Sequence, residues 1–138
     1  MRHLFAAAMV MTCLLGPATL SASSLQSNAP DGPCRARRIY VAELGESGEV
    51  ERFRRELKRQ LARKKFVLVA RAEDADGVLA GRFSHTGSGR ESKLAFESGE
   101  LKDGRGERLW HGNFYFTRAS IKSVASAVAA NLRDACRR

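Results

Sequence analysis

Residues 49–70 read EVERFRRELKRQLARKKFVLVA, and in this stretch a helical pattern runs directly into a strand pattern. Over residues 49–65 the apolar positions recur every three or four residues, as one face of an amphipathic helix requires; they are Val50, Phe53, Leu57 and Leu61. Glutamates occupy the predicted first turn and basic residues the last, as the helix dipole favours. The continuous apolar run at residues 66–70 predicts a strand covered on both faces.

The surrounding sequence extends this pattern to a whole domain. Residues 38–44 predict a strand before the helix, and residues 77–83, 93–97 and 108–116 predict three more after it. Asp103-Gly104 predicts a hairpin turn, residues 84–92 a mobile loop, and residues 120–137 a closing helix. The order β-α-β-β-β-β-α predicts one small α/β (α+β) domain, a mixed sheet of about five strands with two helices packed on one face.

The first residues have the pattern of a secretory signal peptide. Met1-Arg2-His3 precede an apolar run at residues 4–15, and small residues continue through Ser24. About a dozen apolar residues are too few for the roughly 20 that a membrane-spanning helix needs, so we expect cleavage. Cuts after Ala22, Ser23 or Ser24 all fit, and the cut after Ser23 is favoured.

Cleavage at that point divides the chain into three parts. We expect a signal peptide at residues 1–23, a flexible lead-in at 24–37 and the α/β domain at 38–138, with no transmembrane segment after cleavage and a periplasmic or secreted location. A lipoprotein would need a small-residue box directly before a cysteine. Neither Cys13 nor Cys34 has a suitable lead-in, so the pattern argues against lipidation.

Two cysteines remain after cleavage, one near each end of the mature chain. Exported compartments oxidise thiols, so Cys34 and Cys136 are predicted to form a disulfide. In the chain-entropy model, a link that closes about 100 residues stabilises a protein by about 4–5 kcal/mol. The alternative is two unpaired thiols.

The chain is basic, with a formal net charge of +9 that falls to +8 when Arg2 leaves with the leader. Many of these charges surround the apolar stripe of the first helix, and they form a candidate surface for anions. That surface would attract polyanions by long-range attraction and counterion release. The alternative is a solvated face, partly compensated by glutamates. The candidate residues are Arg52, Arg55, Lys58, Arg59, Arg63 and Lys64.

Catalytic, metal and cofactor patterns are weak. His85 and His111 are far apart in sequence, and no zinc spacing or Cys-x-x-Cys motif is present. The Gly87 loop lacks phosphate-loop spacing, and no serine stands in a G-x-S-x-G elbow. The sequence therefore predicts no cofactor, no metal site and no enzyme. Trp110 is predicted to be a core or edge anchor whose indole N–H needs a partner if buried.

Several segments together resemble exported domains of the TolB amino-terminal and curli-secretion (CsgG-like) type. They are the strand with Tyr40, the basic helix, the step Ala75-Asp76-Gly77-Val78-Leu79-Ala80-Gly81, and the hairpin from Leu101 to Trp110. The resemblance covers nearly the whole mature chain as a pattern. It implies a non-enzymatic envelope module that binds proteins or assembles with them, and it transfers no functional residue.

Two hypotheses follow for function. The first is an exported, non-catalytic module that contacts another periplasmic or outer-membrane protein. The second is a binder of anionic envelope surfaces, such as lipid phosphate, lipopolysaccharide or wall polymer, through residues 52–65. Export argues against nucleic acid as a partner. An enzyme of unrecognised type would instead show clustered titratable groups in a cleft.

Overall fold

The computed structural model describes residues 35–137. Two helices and five strands form the domain, together with two short 3-10 turns at Ala72–Asp74 and Gly89–Glu91. In chain order the elements are β1 (Arg38–Val41), α1 (Gly48–Arg63), β2 (Val67–Leu68), β3 (Gly77–Thr86), β4 (Lys93–Asp103), β5 (Arg108–Thr117) and α2 (Ile121–Ala135). The predicted fold class and element order are confirmed.

The five strands form one mixed sheet in the order β2-β1-β3-β4-β5. β1 pairs in parallel with both β2 and β3, whereas β3, β4 and β5 form an antiparallel meander. Both helices lie on the same face of the sheet and pack against each other. The other face of the sheet carries no helix in the described part of the chain.

α1 begins one residue earlier and ends two residues earlier than its sequence pattern predicts. Ser47 is the N-cap, and its Oγ accepts a hydrogen bond from the Val50 N–H at 3.2 Å. The four predicted apolar positions are all buried. The ring of Phe53 stacks on Phe83 of β3 at 4.2 Å between centroids, which holds the helix on the sheet.

The strand predicted at residues 66–70 is wrong in length and in burial. β2 has only two residues and lies at the edge of the sheet, and Val67 is 55% exposed. The cause is the way α1 ends. Lys65 adopts φ 71°, and the N–H groups of Lys65 and Phe66 donate to the carbonyls of Ala62 and Leu61. This turn places Phe66 in the core and leaves the next side chain at the surface.

The later strands are longer than predicted. β3 continues to Thr86, so the connection to β4 covers residues 87–92 only. β4 runs on to Asp103 through a bulge at Ser98, whose φ is 51° and whose N–H donates to Asn113 Oδ1 at 2.8 Å. The bulge lets β4 bend and still continue in the sheet. The alternation of apolar and polar residues does not predict this continuation.

The predicted hairpin turn and the Trp110 anchor are both present. Asp103 Oδ1 accepts hydrogen bonds from the N–H groups of Arg105 and Glu107, each at 2.9 Å. Trp110 is buried, and its indole N–H donates to Asn131 Oδ1 on α2 at 3.0 Å. This bond links β5 to the helix that covers it.

The termini of the domain bear on two further expectations. Ala36 is 1% exposed and belongs to the core, although it falls in the predicted lead-in at residues 24–37. Cys136 lies half-buried just after α2. The signal peptide and Cys34 lie outside the described residues, so the predicted cleavage and the predicted disulfide stay predictions.

Candidate functional site

The six predicted anion-binding residues of α1 do not share one side of the helix. At 3.6 residues per turn, Arg52, Arg55 and Arg59 fall on one side, and Arg63 continues their row. Lys58 and the C-cap residue Lys64 project in other directions. The structure thus separates the predicted set into one row of arginines and two lysines outside it.

The row of arginines borders a cleft between α1 and the first turn of α2. We call this cleft the basic groove; its volume is about 440 Å³. Six side chains line it: Arg52, Arg55, Glu56, Arg59, Ile121 and Lys122. The packing of α2 beside α1 therefore adds a fourth cation and an apolar wall to three of the predicted arginines.

One carboxylate lies in the basic groove, and its charge is already engaged. Glu56 Oε2 is 3.1 Å from Arg59 Nη1, and Glu56 Oε1 accepts a hydrogen bond from Gln60 Nε2 at 2.8 Å. The side chain of Glu56 is 14% exposed, and Gln60 is buried. Glu56 and Arg59 largely neutralise each other, so the net charge of the groove comes from the other cations.

The remaining cations of the basic groove have weaker partners. Arg52 Nη2 is 3.9 Å from Glu49 Oε1, and both side chains are well exposed. Among residues 35–137, no ion pair includes Arg55 or Lys122. Within residues 35–137, the groove therefore holds two cations without an ion-pair partner, Arg55 and Lys122, and a third, Arg52, with only a distant one.

The start of α2 adds to this positive potential. Ser120 caps the helix through its Oγ, and its first turn contains Lys122 and no acidic residue. A lysine at a helix N-terminus opposes the helix dipole, so helix stability does not explain its presence. This placement was the one sequence signal that could have indicated that α2 contributes to the site.

A neighbouring arginine of α1 serves the fold instead. Arg54 donates from Nε and Nη2 to the carbonyl of Val41, at 3.2 and 2.8 Å. Its guanidinium thereby provides hydrogen-bond donors for the carbonyl group of the last residue of β1. Not every basic residue of this helix is thus available to a ligand.

A second cluster, which sequence reasoning missed, joins three elements. His85 Nδ1 is 2.8 Å from Glu49 Oε2, and His85 Nε2 is 2.9 Å from Ser92 Oγ. We call this arrangement the Ser92–His85–Glu49 chain. The sequence predicts Glu49 in the first turn of the helix and His85 in the loop at residues 84–92, and it connects neither of them with Ser92. No spacing rule connects residues on α1, on β3 and before β4.

Acidic residues near the connector after β2 have structural partners. Asp76 accepts hydrogen bonds from the Arg38 N–H and from Arg38 Nη2, both at 3.0 Å. The side-chain hydrogen bond from Arg38 is the largest cause of the lowered pKa of Asp76, followed by the backbone bond. These contacts give the Asp76 carboxylate a structural role, which is to hold the start of β1.

Among residues 35–137, no group of three or more His, Cys, Asp or Glu side chains is placed to hold a metal ion. No helix in that range is both long and apolar enough to cross a membrane.

The fold is shared with solved structures. The dodecamer of a PelC variant from Paraburkholderia phytofirmans matches with a TM-score of 0.51 and 17% identity, over 72% of this chain and 86% of that chain. A second PelC dodecamer from the same organism gives 0.50 and 21%, over 77% and 92%. A minor lipoprotein from Acinetobacter baumannii gives 0.47 and 14%, over 72% and 90%.

At these identities the PelC similarity shows a common fold. Comparisons with protein-family models and with curated proteins found no match. The matching PelC structures do not test the resemblance to TolB amino-terminal and CsgG-like domains, which stays a prediction.

Proposed function

We propose that this protein is an exported binding module of the cell envelope that holds an anionic envelope component in the basic groove. The observation that carries the proposal is the convergence of Arg52, Arg55, Arg59 and Lys122 on one cleft whose only lining carboxylate, within the described residues, is already paired. The predicted signal peptide supports an envelope location.

The chemistry of the basic groove suits phosphate groups. Arginine presents a planar fork of donors that matches phosphate oxygens, and lysine adds a point charge. Lipid phosphates and lipopolysaccharide carry such groups, and acidic wall polymers offer a related charge. Ile121 supplies apolar surface beside the cations, against which the uncharged part of a ligand can pack.

The decisive experiment compares three variants with the same change in net charge. Arg55→Glu reverses a cation inside the groove, Arg63→Glu reverses one farther along the same row, and Arg105→Glu reverses one on the exposed β4–β5 turn. Binding is measured on phosphatidylglycerol vesicles and on lipopolysaccharide, at low and high salt, with phosphatidylcholine vesicles as the uncharged reference.

We expect Arg55→Glu to weaken binding about tenfold or more. Each basic residue near an anionic surface contributes about 1 kcal/mol, and a charge reversal both removes an attraction and adds a repulsion. Arg105→Glu should stay close to wild type. Equal losses for Arg55→Glu and Arg63→Glu would move the site from the groove to the whole face of α1. Binding to the uncharged vesicles, or no loss at high salt, would contradict the proposal.

A second candidate function is assembly with a protein partner or with other copies of this chain. Two observations favour it: the matching PelC structures are dodecamers, and the helix-free face of the sheet carries Tyr115, which is 66% exposed on the edge strand β5. Light scattering on the exported protein, with Tyr115→Lys as the variant, tests self-assembly. A monomer at all concentrations, with no crosslinked envelope protein, would contradict it.

A further inference from the structure

We propose that Ser92 is a reactive nucleophile, activated by His85, that accepts an acyl group from small exposed esters. This activity goes beyond the proposed binding role and runs against the prediction that the chain is not an enzyme. The proposal starts from the connectivity of the Ser92–His85–Glu49 chain: serine Oγ to Nε2, and Nδ1 to a carboxylate. In that order a base lies next to the nucleophile and a third group orients the base.

The carboxylate determines which nitrogen of His85 carries the proton. An ionised carboxylate only accepts hydrogen bonds, so Glu49 Oε2 at 2.8 Å places the proton on Nδ1. Nε2 is then left with a lone pair that faces Ser92 Oγ at 2.9 Å. This is the tautomer in which histidine can take a proton from the serine hydroxyl.

The backbone of Ser92 is held on both sides. Its N–H donates to the Gly89 carbonyl at 3.3 Å, and its carbonyl accepts from the Arg118 N–H at 3.0 Å. The guanidinium of Arg118 also donates to the carbonyl of Arg90 at 3.2 Å, which fixes a positive charge at the same loop. A nucleophile held in this way loses little orientational freedom when it reacts.

The cluster is open to solvent and to small molecules. The side chain of His85 is 28% exposed, and Ser92 is half-buried. A Cβ added at Gly89, three residues before Ser92, would meet no atom within 4 Å. Because the His85 and Ser92 side chains are both partly accessible, an ester can approach the hydroxyl without displacing core side chains.

The reaction proceeds in two balanced steps. Ser92 Oγ bonds to the ester carbonyl carbon while its proton passes to His85 Nε2, and the bond to the leaving alkoxide breaks as His85 returns that proton to it. Water then attacks the acyl carbon and gives a proton to His85. The bond from that carbon to Ser92 Oγ breaks, His85 returns the proton to Oγ, and the carboxylic acid leaves. Glu49 is a positioning residue, because it contacts the base and not the reacting atoms.

A fluorophosphonate probe on the full exported protein tests the proposal. Attack by Ser92 on phosphorus displaces fluoride, and mass spectrometry of the wild-type protein identifies the labelled residue. We expect the label on Ser92, no label at that position in Ser92→Ala, and labelling about 100-fold slower in His85→Gln. Ser88→Ala, an exposed serine in the same loop, is the matched control and should label at the wild-type rate.

The pH profile separates activation from a structural role. The wild-type labelling rate should rise with pH and then level off, because only neutral imidazole accepts the proton. His85→Gln should lose the plateau, and Glu49→Gln should label about tenfold more slowly. Absence of label on Ser92 in the folded wild type, or an equal rate in His85→Gln, would overturn the proposal. Vesicle binding by Ser92→Ala reports on the basic groove independently.

Discussion

Phe96 occupies space that two glycines leave open. A Cβ at Gly81 would lie 2.5 Å from the Phe96 ring, and one at Gly99 would lie 2.6 Å from it. Phe96 is fully buried and its ring also meets Phe53 of α1, at 5.5 Å between centroids. At Gly81 the missing side chain thus makes room for an aromatic ring from the adjacent strand β4.

Gly81→Ala should therefore destabilise the protein by about 1–3 kcal/mol, because overfilling a packed core forces side chains out of their rotamers. Gly104→Ala is the control: a Cβ there meets nothing within 4 Å, so we expect a change within about 0.5 kcal/mol. Urea unfolding of both variants measures the difference. Similar stabilities for the two would mean that Phe96 can move.

Asp76 makes stability depend on pH. Its pKa is lowered in the folded protein, first by the side-chain hydrogen bond from Arg38, so the folded state favours the charged carboxylate. That stabilisation is complete above the unfolded-state pKa of an aspartate, about 3.9, and is lost as the pH falls through the lower folded-state value. Asp76→Asn should lower the urea midpoint at pH 7.

The effect of the same substitution should shrink as the pH falls through the lowered folded-state pKa of Asp76, because the protonated side chain is then neutral, like asparagine. Thermal unfolding of the two proteins at pH 7 and pH 2 measures this convergence. A difference that stays constant over the range would show that the Asp76 carboxylate contributes through shape and not through its charge.

Sequence patterns were least accurate for the connection between α1 and β2. Apolar residues continue from Phe66 into β2, and a continuous run does not reveal which side chains turn inward. The positive φ of Lys65 determines which of these side chains turn inward. Left-handed residues at helix ends are usually glycine or asparagine, so a lysine does not predict one. Propensity and periodicity predicted that a strand, β2, follows α1. The burial of its side chains depended on how α1 ends.

Val67→Thr tests the corrected position of β2. The side chain is largely exposed at a sheet edge, so we expect stability within about 0.5 kcal/mol of wild type. Ile39→Thr on the neighbouring strand β1 buries an extra hydroxyl and should cost about 1–3 kcal/mol. A large loss for Val67→Thr would restore the interpretation of a strand covered on both faces.

At the scale of the molecule, local patterns predicted the order of elements and the side of the sheet that the helices cover. They predicted the arginines of the basic groove but not Lys122, because its approach to α1 depends on how two distant helices pack. The Ser92–His85–Glu49 chain was missed for the same reason. Local periodicity says which residues turn inward, and only tertiary packing says which residues meet.

The predicted bond between Cys34 and Cys136 would link the two ends of the mature chain. Thiol counting on the exported, unreduced protein should find no reactive cysteine in the folded or the urea-unfolded state, and two after reduction. Reduction should then lower the unfolding free energy by about 4–5 kcal/mol on the chain-entropy model. Two thiols that react before reduction would refute the bond.

β1 comes first among the strands in sequence, yet it lies inside the sheet, between β2 and β3. Ile39 of β1 pairs with Leu68 and Gly77, and all of α1 lies between Ile39 and these two residues in sequence. By contrast, β3, β4 and β5 are joined by short connections. Because closing long loops slows folding, we expect the meander to form early in the folding transition state and β1 to dock late. β1, the first strand of the sheet to leave the ribosome, would thus be among the last to reach its native neighbours.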